Sequence, residues 1–265
     1  MKKFKNFAAR HPYLFMLVIF PLIPSMLILL QLGVARLFGF TSFGVGSFQD
    51  STKIIATLLY LFILWQFGWL RPAGFQTLGR WQAWLIVLIA SVFEVALAIR
   101  SINGHFEWQN LIVLDDPPAY LLVGLFEEIA FRGVILYAFL HLWGDTYRGV
   151  LKSVFISSLL FGMGHLASIF TGNTVFGAIL QTASSTISGV LYAALVLYGW
   201  SIWPVVIGHF LSDAIGYGNL TNIQDVTQAN LSIFLIDIPL LFLAYFLISH
   251  SRKQWVNKRV EGAIS

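Results

Sequence analysis

Cysteine is absent from all 265 residues, and only 11% of them carry a charge. The first absence excludes a cysteine nucleophile, a cysteine-ligated zinc, a redox pair and a disulfide-stapled secreted module. The second excludes an ordinary soluble domain, in which about a quarter of the residues are charged. It also excludes a disordered chain, because 58% of the residues are hydrophobic and such a chain buries itself. An internal repeat, a low-complexity tract and a long linker are missing as well. What is present is apolar sequence spread along the whole length, with a mean hydropathy of +0.79. This predicts one integral membrane domain over residues 1–265.

Basic residues outnumber acidic ones 16 to 12, for a net charge of +4. They lie at the ends of apolar runs, where membrane topology and anionic headgroups account for them. No basic patch with interleaved aromatics is present, so the predicted environment is a lipid bilayer and nucleic acid is not a predicted partner.

Eight apolar stretches have about the length a helix needs to cross a bilayer, at about 13–35, 53–70, 82–99, 118–140, 151–170, 174–198, 201–217 and 231–249. The predicted fold class is therefore all-α and polytopic, with about eight transmembrane helices. Pro204 suggests a helix entry or a break; Gly216, Gly218 and Asn219 suggest an end. The first stretch follows Lys2, Lys3, Lys5 and Arg10 like a signal peptide. Its apolar run is too long for a signal and no cleavage site follows, so it reads as a retained span.

With the N-terminus in the cytoplasm, the inside segments hold Lys2, Lys3, Lys5, Arg10, Arg71, Arg80, Arg148, Lys152, Arg252, Lys253, Lys258 and Arg259. The outside segments hold Arg36, Lys53 and Arg100. This asymmetry fits the positive-inside rule with both termini cytoplasmic. The predicted location is multi-pass and integral to a membrane, the plasma membrane if the source is prokaryotic.

Ionisable residues inside spans are costly, by about 2.5–3.5 kcal/mol each on insertion scales, and are functional candidates by default. Here they are Glu94, Glu127, Glu128, Arg132, His165, His209, Asp213 and Asp237. Glu128 and Arg132 are four apart and share a helical face, so they can pair. Glu127 is rotated by about 100° from Glu128, which leaves one desolvated carboxylate without that partner and available as a general base. A helix-packing network of all three is the competing reading. His165 follows Gly162 and Gly164, which let a neighbouring helix approach. His209 and Asp213 are again four apart, so Asp213 can orient the imidazole or the two can fix helix register.

At a rise of about 1.5 Å per residue, Glu127, His165 and His209 lie about 14, 8 and 12 Å from the outer ends of their spans. Three polar positions from three spans in one layer favour a shared cavity. Glu94 comes out at a similar depth. Asp237, beside Pro239, is expected to make a local cap or water contact, and both are left outside the catalytic set. No nucleophile stands beside a base. A Gly-x-Ser-Gly pattern is unmet at Thr186-Ile187-Ser188-Gly189, a Gly-x-Gly-Asp pattern is unmet at Gly216-Tyr217-Gly218-Asn219, and His-Glu-x-x-His is absent. Water activated by a carboxylate, with or without a metal, remains.

In this order and on separate apolar spans, Glu127-Glu128-x-x-x-Arg132, Phe161-x-x-x-His165 and His209-x-x-x-Asp213 resemble the CPBP family. That family comprises type II CAAX prenyl endopeptidases and bacteriocin-processing or immunity-related membrane proteins. The resemblance covers the core at about 118–217 and implies a glutamate-dependent intramembrane endopeptidase acting on a membrane-associated peptide or protein. It implies Glu127 as general base on water, His165 holding or polarising that water, and Glu128 with Arg132 as structural support. His209 and residue 213 would stabilise the oxyanion. Many members have Asn where this chain has Asp213. A carboxylate donates a hydrogen bond only when protonated, so Asp213 is either neutral or orients His209.

No cofactor is predicted. If a metal such as zinc were bound, Glu127, His165, His209 and Asp213 would be its ligands, although no short ligand spacing supports one. Two other readings compete. One is an inactive scaffold or regulator of the same fold; the other is a proton-coupled transporter, against which the lack of an inverted repeat argues.

Overall fold

A computed structural model describes residues 11, 45–101, 117–171, 173–220 and 237–260. The regular structure of these residues is entirely helical. In chain order the helices are α1 (Val45–Phe67), α2 (Trp81–Ser101), α3 (Pro117–Glu128), α4 (Tyr137–Trp143), α5 (Tyr147–Gly164), α6 (Val175–Gly199), α7 (Trp203–Leu220) and α8 (Leu240–Val260). A π-helical segment, Ile129–Leu136, joins α3 to α4, and a 3-10 segment, His165–Thr171, extends α5. Among the described residues, two stretches, Tyr147–Ile169 and Val175–Gly199, are long and apolar enough to cross a membrane, and Trp81–Val92 is a shorter apolar helix.

Each apolar stretch after the first coincides with a helix, while the stretch at 13–35 lies outside the described residues. Three details differ from the sequence reading. The stretch at 118–140 is not one α-helix but α3, the π segment and α4 in succession. The last helix does not end near 249; α8 continues to Val260, through Arg252, Lys253 and Lys258. Gly216 and Gly218 lie within α7, which ends at Leu220, whereas Pro204 is its second residue and marks an entry.

Local chemistry explains the better-defined ends. Thr146 caps α5, its hydroxyl accepting from the Gly149 N–H at 3.0 Å. Thr174 caps α6 in the same way, accepting from Gly177 N–H at 2.9 Å. α6 ends at Trp200, which adopts a left-handed backbone (φ +57°) unusual for a bulky residue. Its ring stacks on Trp255 of α8, with centroids 5.7 Å apart, and this contact holds it there.

α6 is the central helix and packs against α5, α8 and the 3-10 segment, while α7 packs against α3 and α2. Tyr60, Leu64, Ile135, Leu136, Leu140, Leu195, Ile202 and Leu247 are sealed in one core. The outward faces are apolar too: Leu58, Phe62 and Trp65 on α1, and Phe242, Tyr245 and Phe246 on α8, are exposed. Helices apolar on both faces match a lipid surround better than water.

Candidate active site

Four elements meet at the polar residues: the end of α3 with the π segment, the end of α5, α6 and α7. Glu127 and Glu128 are the last two charged residues of α3, and the change to π-helical winding begins at the next residue. π-Helical turns are rare and are often found at functional sites. Gly124 allows the α3–α7 contact: a side chain there would press on the Val206 carbonyl, the Phe210 amide and the His209 Cβ. That close approach brings His209 against the two glutamates.

Arg132 Nη1 donates to Glu128 Oε1 at 2.9 Å, and both side chains are buried. The same Glu128 oxygen accepts from His209 Nδ1 at 2.7 Å. Glu128 is thus held from two elements at once, and one imidazole nitrogen is committed to it. The other, His209 Nε2, lies 3.6 Å from Glu127 Oε2 and 3.7 Å from Asp213 Oδ2. Exposure separates the two glutamates. The Glu128 side chain is 0% exposed and the Glu127 side chain 24%.

Aromatic rings close the apolar side. Arg132 lies over Phe161 at 4.3 Å and over Tyr192 at 5.4 Å. Phe161 meets His165 edge-on at 5.3 Å and His209 edge-on at 6.0 Å. Tyr192 of α6 lies 6.1 Å from the His209 ring. Phe161 therefore touches three of the candidate side chains and sets the spacing between α5 and α7.

His165 stands at the junction of α5 and the 3-10 segment, with Nδ1 3.5 Å from Gln181 Nε2 of α6. The expected helix approach occurs at Gly162, where a side chain would strike Thr182 and Thr186 of α6. Gly164 faces open space and has no such role.

The structure brings together Glu127, Glu128, Arg132, His209 and Asp213, and joins His165 to them through Phe161. The group that hydrogen-bonds the His209 ring is Glu128, at 2.7 Å on Nδ1, while Asp213 lies 3.7 Å from Nε2, an ionic contact beyond hydrogen-bond reach. Asp237 accepts from the Ser184 hydroxyl of α6 in a buried contact. The Glu94 side chain lies outside the described residues. Tyr192 and Gln181 were missed by sequence reasoning, because neither sits in a charged or spaced pattern.

The donor set Glu127, His165, His209 and Asp213 does not converge as a metal site: among the described residues no group of three or more His, Asp or Glu side chains is placed to hold an ion. The contacts are hydrogen-bonding and ionic ones between the side chains themselves.

Residues 108–215 match the model of the family described as Rce1-like, type II CAAX prenyl endopeptidase Rce1-like. No curated protein matches the chain, and no solved structure does.

Proposed function

We propose that the chain is an intramembrane endopeptidase of the CPBP family of CAAX type, as the match over residues 108–215 supports, and that it hydrolyses a peptide bond of a membrane-associated peptide or protein with water activated by Glu127. The observation that supports this reading is the asymmetry of the two glutamates. Glu128 Oε1 is engaged by both Arg132 and His209, while Glu127 is the less buried carboxylate, facing His209 Nε2.

The chemistry follows from that division. Glu127 takes a proton from water, and the water oxygen bonds to the peptide carbonyl carbon. The carbonyl oxygen becomes an oxyanion. His209, its Nδ1–H held by Glu128, offers Nε2–H to that oxygen in its protonated form. The carbon–nitrogen bond then breaks as Glu127 returns the proton to the leaving amine, giving a carboxylic acid and an amine. No acyl-enzyme forms, and no step passes through a metal. Asp213, near His209 Nε2 but not bonded to it, borders the oxyanion position.

The wider frame is part of the same proposal. Residues 1–265 form one multi-pass membrane domain of about eight spans with both termini cytoplasmic, and the motifs fall in a core at 118–217. The site then lies in the outer half of the bilayer.

Purified protein in detergent, incubated with a library of internally quenched peptides, tests the reading when run beside a folded Glu127→Ala variant. Cleavage by wild type alone supports it. Equal cleavage by both refutes the glutamate mechanism, and cleavage by neither across a broad library points to the scaffold.

A further inference from the structure

The short connection from α5 to α6 carries a polar chain that the mechanism above does not use. Asn173 Nδ2 donates to Ser168 Oγ at 3.2 Å and to Gln181 Oε1 at 3.3 Å. With its oxygen turned to Asn173, Gln181 presents its amide nitrogen to His165 Nδ1, 3.5 Å away. An amide nitrogen only donates, so in this contact Nδ1 accepts, and a neutral ring then carries its proton on Nε2.

The backbone is arranged to build this chain. Gly162 lets α5 approach α6 at Thr182, next to Gln181 in sequence. The Asn173 backbone N–H bonds Ser168 C=O at 3.0 Å, folding the connection back on itself. Thr174 caps α6 by accepting from Gly177 N–H, and a side chain at residue 177 would collide with Asn173 Oδ1. The Asn173 amide is therefore seated against the first turn of α6. Its orientation is relayed through Gln181 to the histidine.

We propose that Gln181, oriented by Asn173, is a positioning residue that holds His165 as the Nε2–H tautomer, so that His165 serves the hydrolysis only as a hydrogen-bond donor. With Nδ1 engaged by Gln181 and Nε2 protonated, the ring has no lone pair free to take a proton from water. His165 instead holds the oxygen of the water or of the developing oxyanion, and Glu127 is left as the base. The proposal rests on the hydrolytic reading for its catalytic consequence; the tautomer itself is independent of that reading.

The test joins a spectroscopic and a kinetic readout. Protein labelled with ¹⁵N in the histidine rings, with the His165 signals assigned through His165→Asn, reports which nitrogen carries the proton at a pH where the ring is neutral. Wild type is expected to show a bare Nδ1 and a protonated Nε2. Gln181→Glu keeps the shape but places an accepting oxygen at Nδ1. It is expected to move the proton to Nδ1 and to lower kcat by about tenfold or more with little change in KM. Asn173→Ala, which frees the amide from the other end, is expected to give a mixture of tautomers and serves if Gln181→Glu fails to fold. A wild-type Nδ1–H tautomer overturns the proposal. So does a variant that changes the tautomer while kcat stays at the wild-type value. If Glu127→Ala retains full activity in the same assay, the hydrolytic reading fails, and the ring signals still decide the positioning role.

Discussion

Arg132→Met removes the guanidinium that Glu128 holds at 2.9 Å, in a pair whose side chains are 2% and 0% exposed. Removing one partner of a buried pair strands the other charge and costs about 3–5 kcal/mol. Here Glu128 keeps one contact, to His209 at 2.7 Å, so the lower part of that range is expected. The contact of Arg132 over Phe161, at 4.3 Å, is lost too and adds about 0.5–2 kcal/mol. Glu128→Gln strands Arg132 and carries a similar cost. The double variant removes both charges and should recover most of the loss, since a buried pair adds little over a neutral replacement. The expected coupling energy is about 2 kcal/mol or more. Unfolding in one fixed detergent, by temperature or by added dodecyl sulfate, measures it. The double variant should stay inactive even where it is stable, because His209 then faces an amide in place of a carboxylate. Single costs that simply add in the double variant would refute the claim that these residues form a charge pair stabilised in the core. A double variant with full turnover would refute the role of Glu128 in holding His209.

Two further outcomes follow from the geometry and the charge pattern. Asp213→Asn should keep activity within about tenfold of wild type, because Asp213 lies 3.7 Å from His209 and an amide can donate to the same oxyanion; Asp213→Leu should lose more, as measured by kcat/KM on one peptide. Because the chain has no cysteine, single cysteines report topology cleanly. Asp145→Cys should react with an impermeant maleimide only from the cytoplasmic side, and Asn103→Cys only from the opposite side; the reverse pattern contradicts the assigned orientation.

Much of the architecture was legible in the sequence because apolar length is a local property. Stretches from 53–70 onward each coincide with a helix, and Pro204 marked the start of α7 through its missing N–H. The π-helical segment after Glu128 was not legible, since no composition rule separates its residues from an α-helix. Nor was the continuation of α8 past residue 249, where the chain turns basic while its helical hydrogen bonds persist. In the site, the Glu128–Arg132 pair was readable from a spacing of four. The bond from Glu128 to His209 was not, because the residues are 81 apart in sequence and meet only through the α3–α7 contact at Gly124. The His209–Asp213 pair was also readable from a spacing of four, and the two lie 3.7 Å apart through Nε2. The closer partner, on another helix, takes the other ring nitrogen, Nδ1. Asp237 found Ser184 across 53 residues in the same way.

The central claim is that Glu127 activates the attacking water, and kcat on one cleaved peptide, for wild type and for Glu127→Gln, tests it most directly. Glutamine keeps the size of the side chain but takes up no proton. The account predicts a loss of about 10²–10⁴-fold in kcat with the fold retained, and wild-type activity that a strong chelator leaves unchanged. A Glu127→Gln enzyme within about tenfold of wild type, or wild-type cleavage abolished by chelation and restored by zinc, would contradict it.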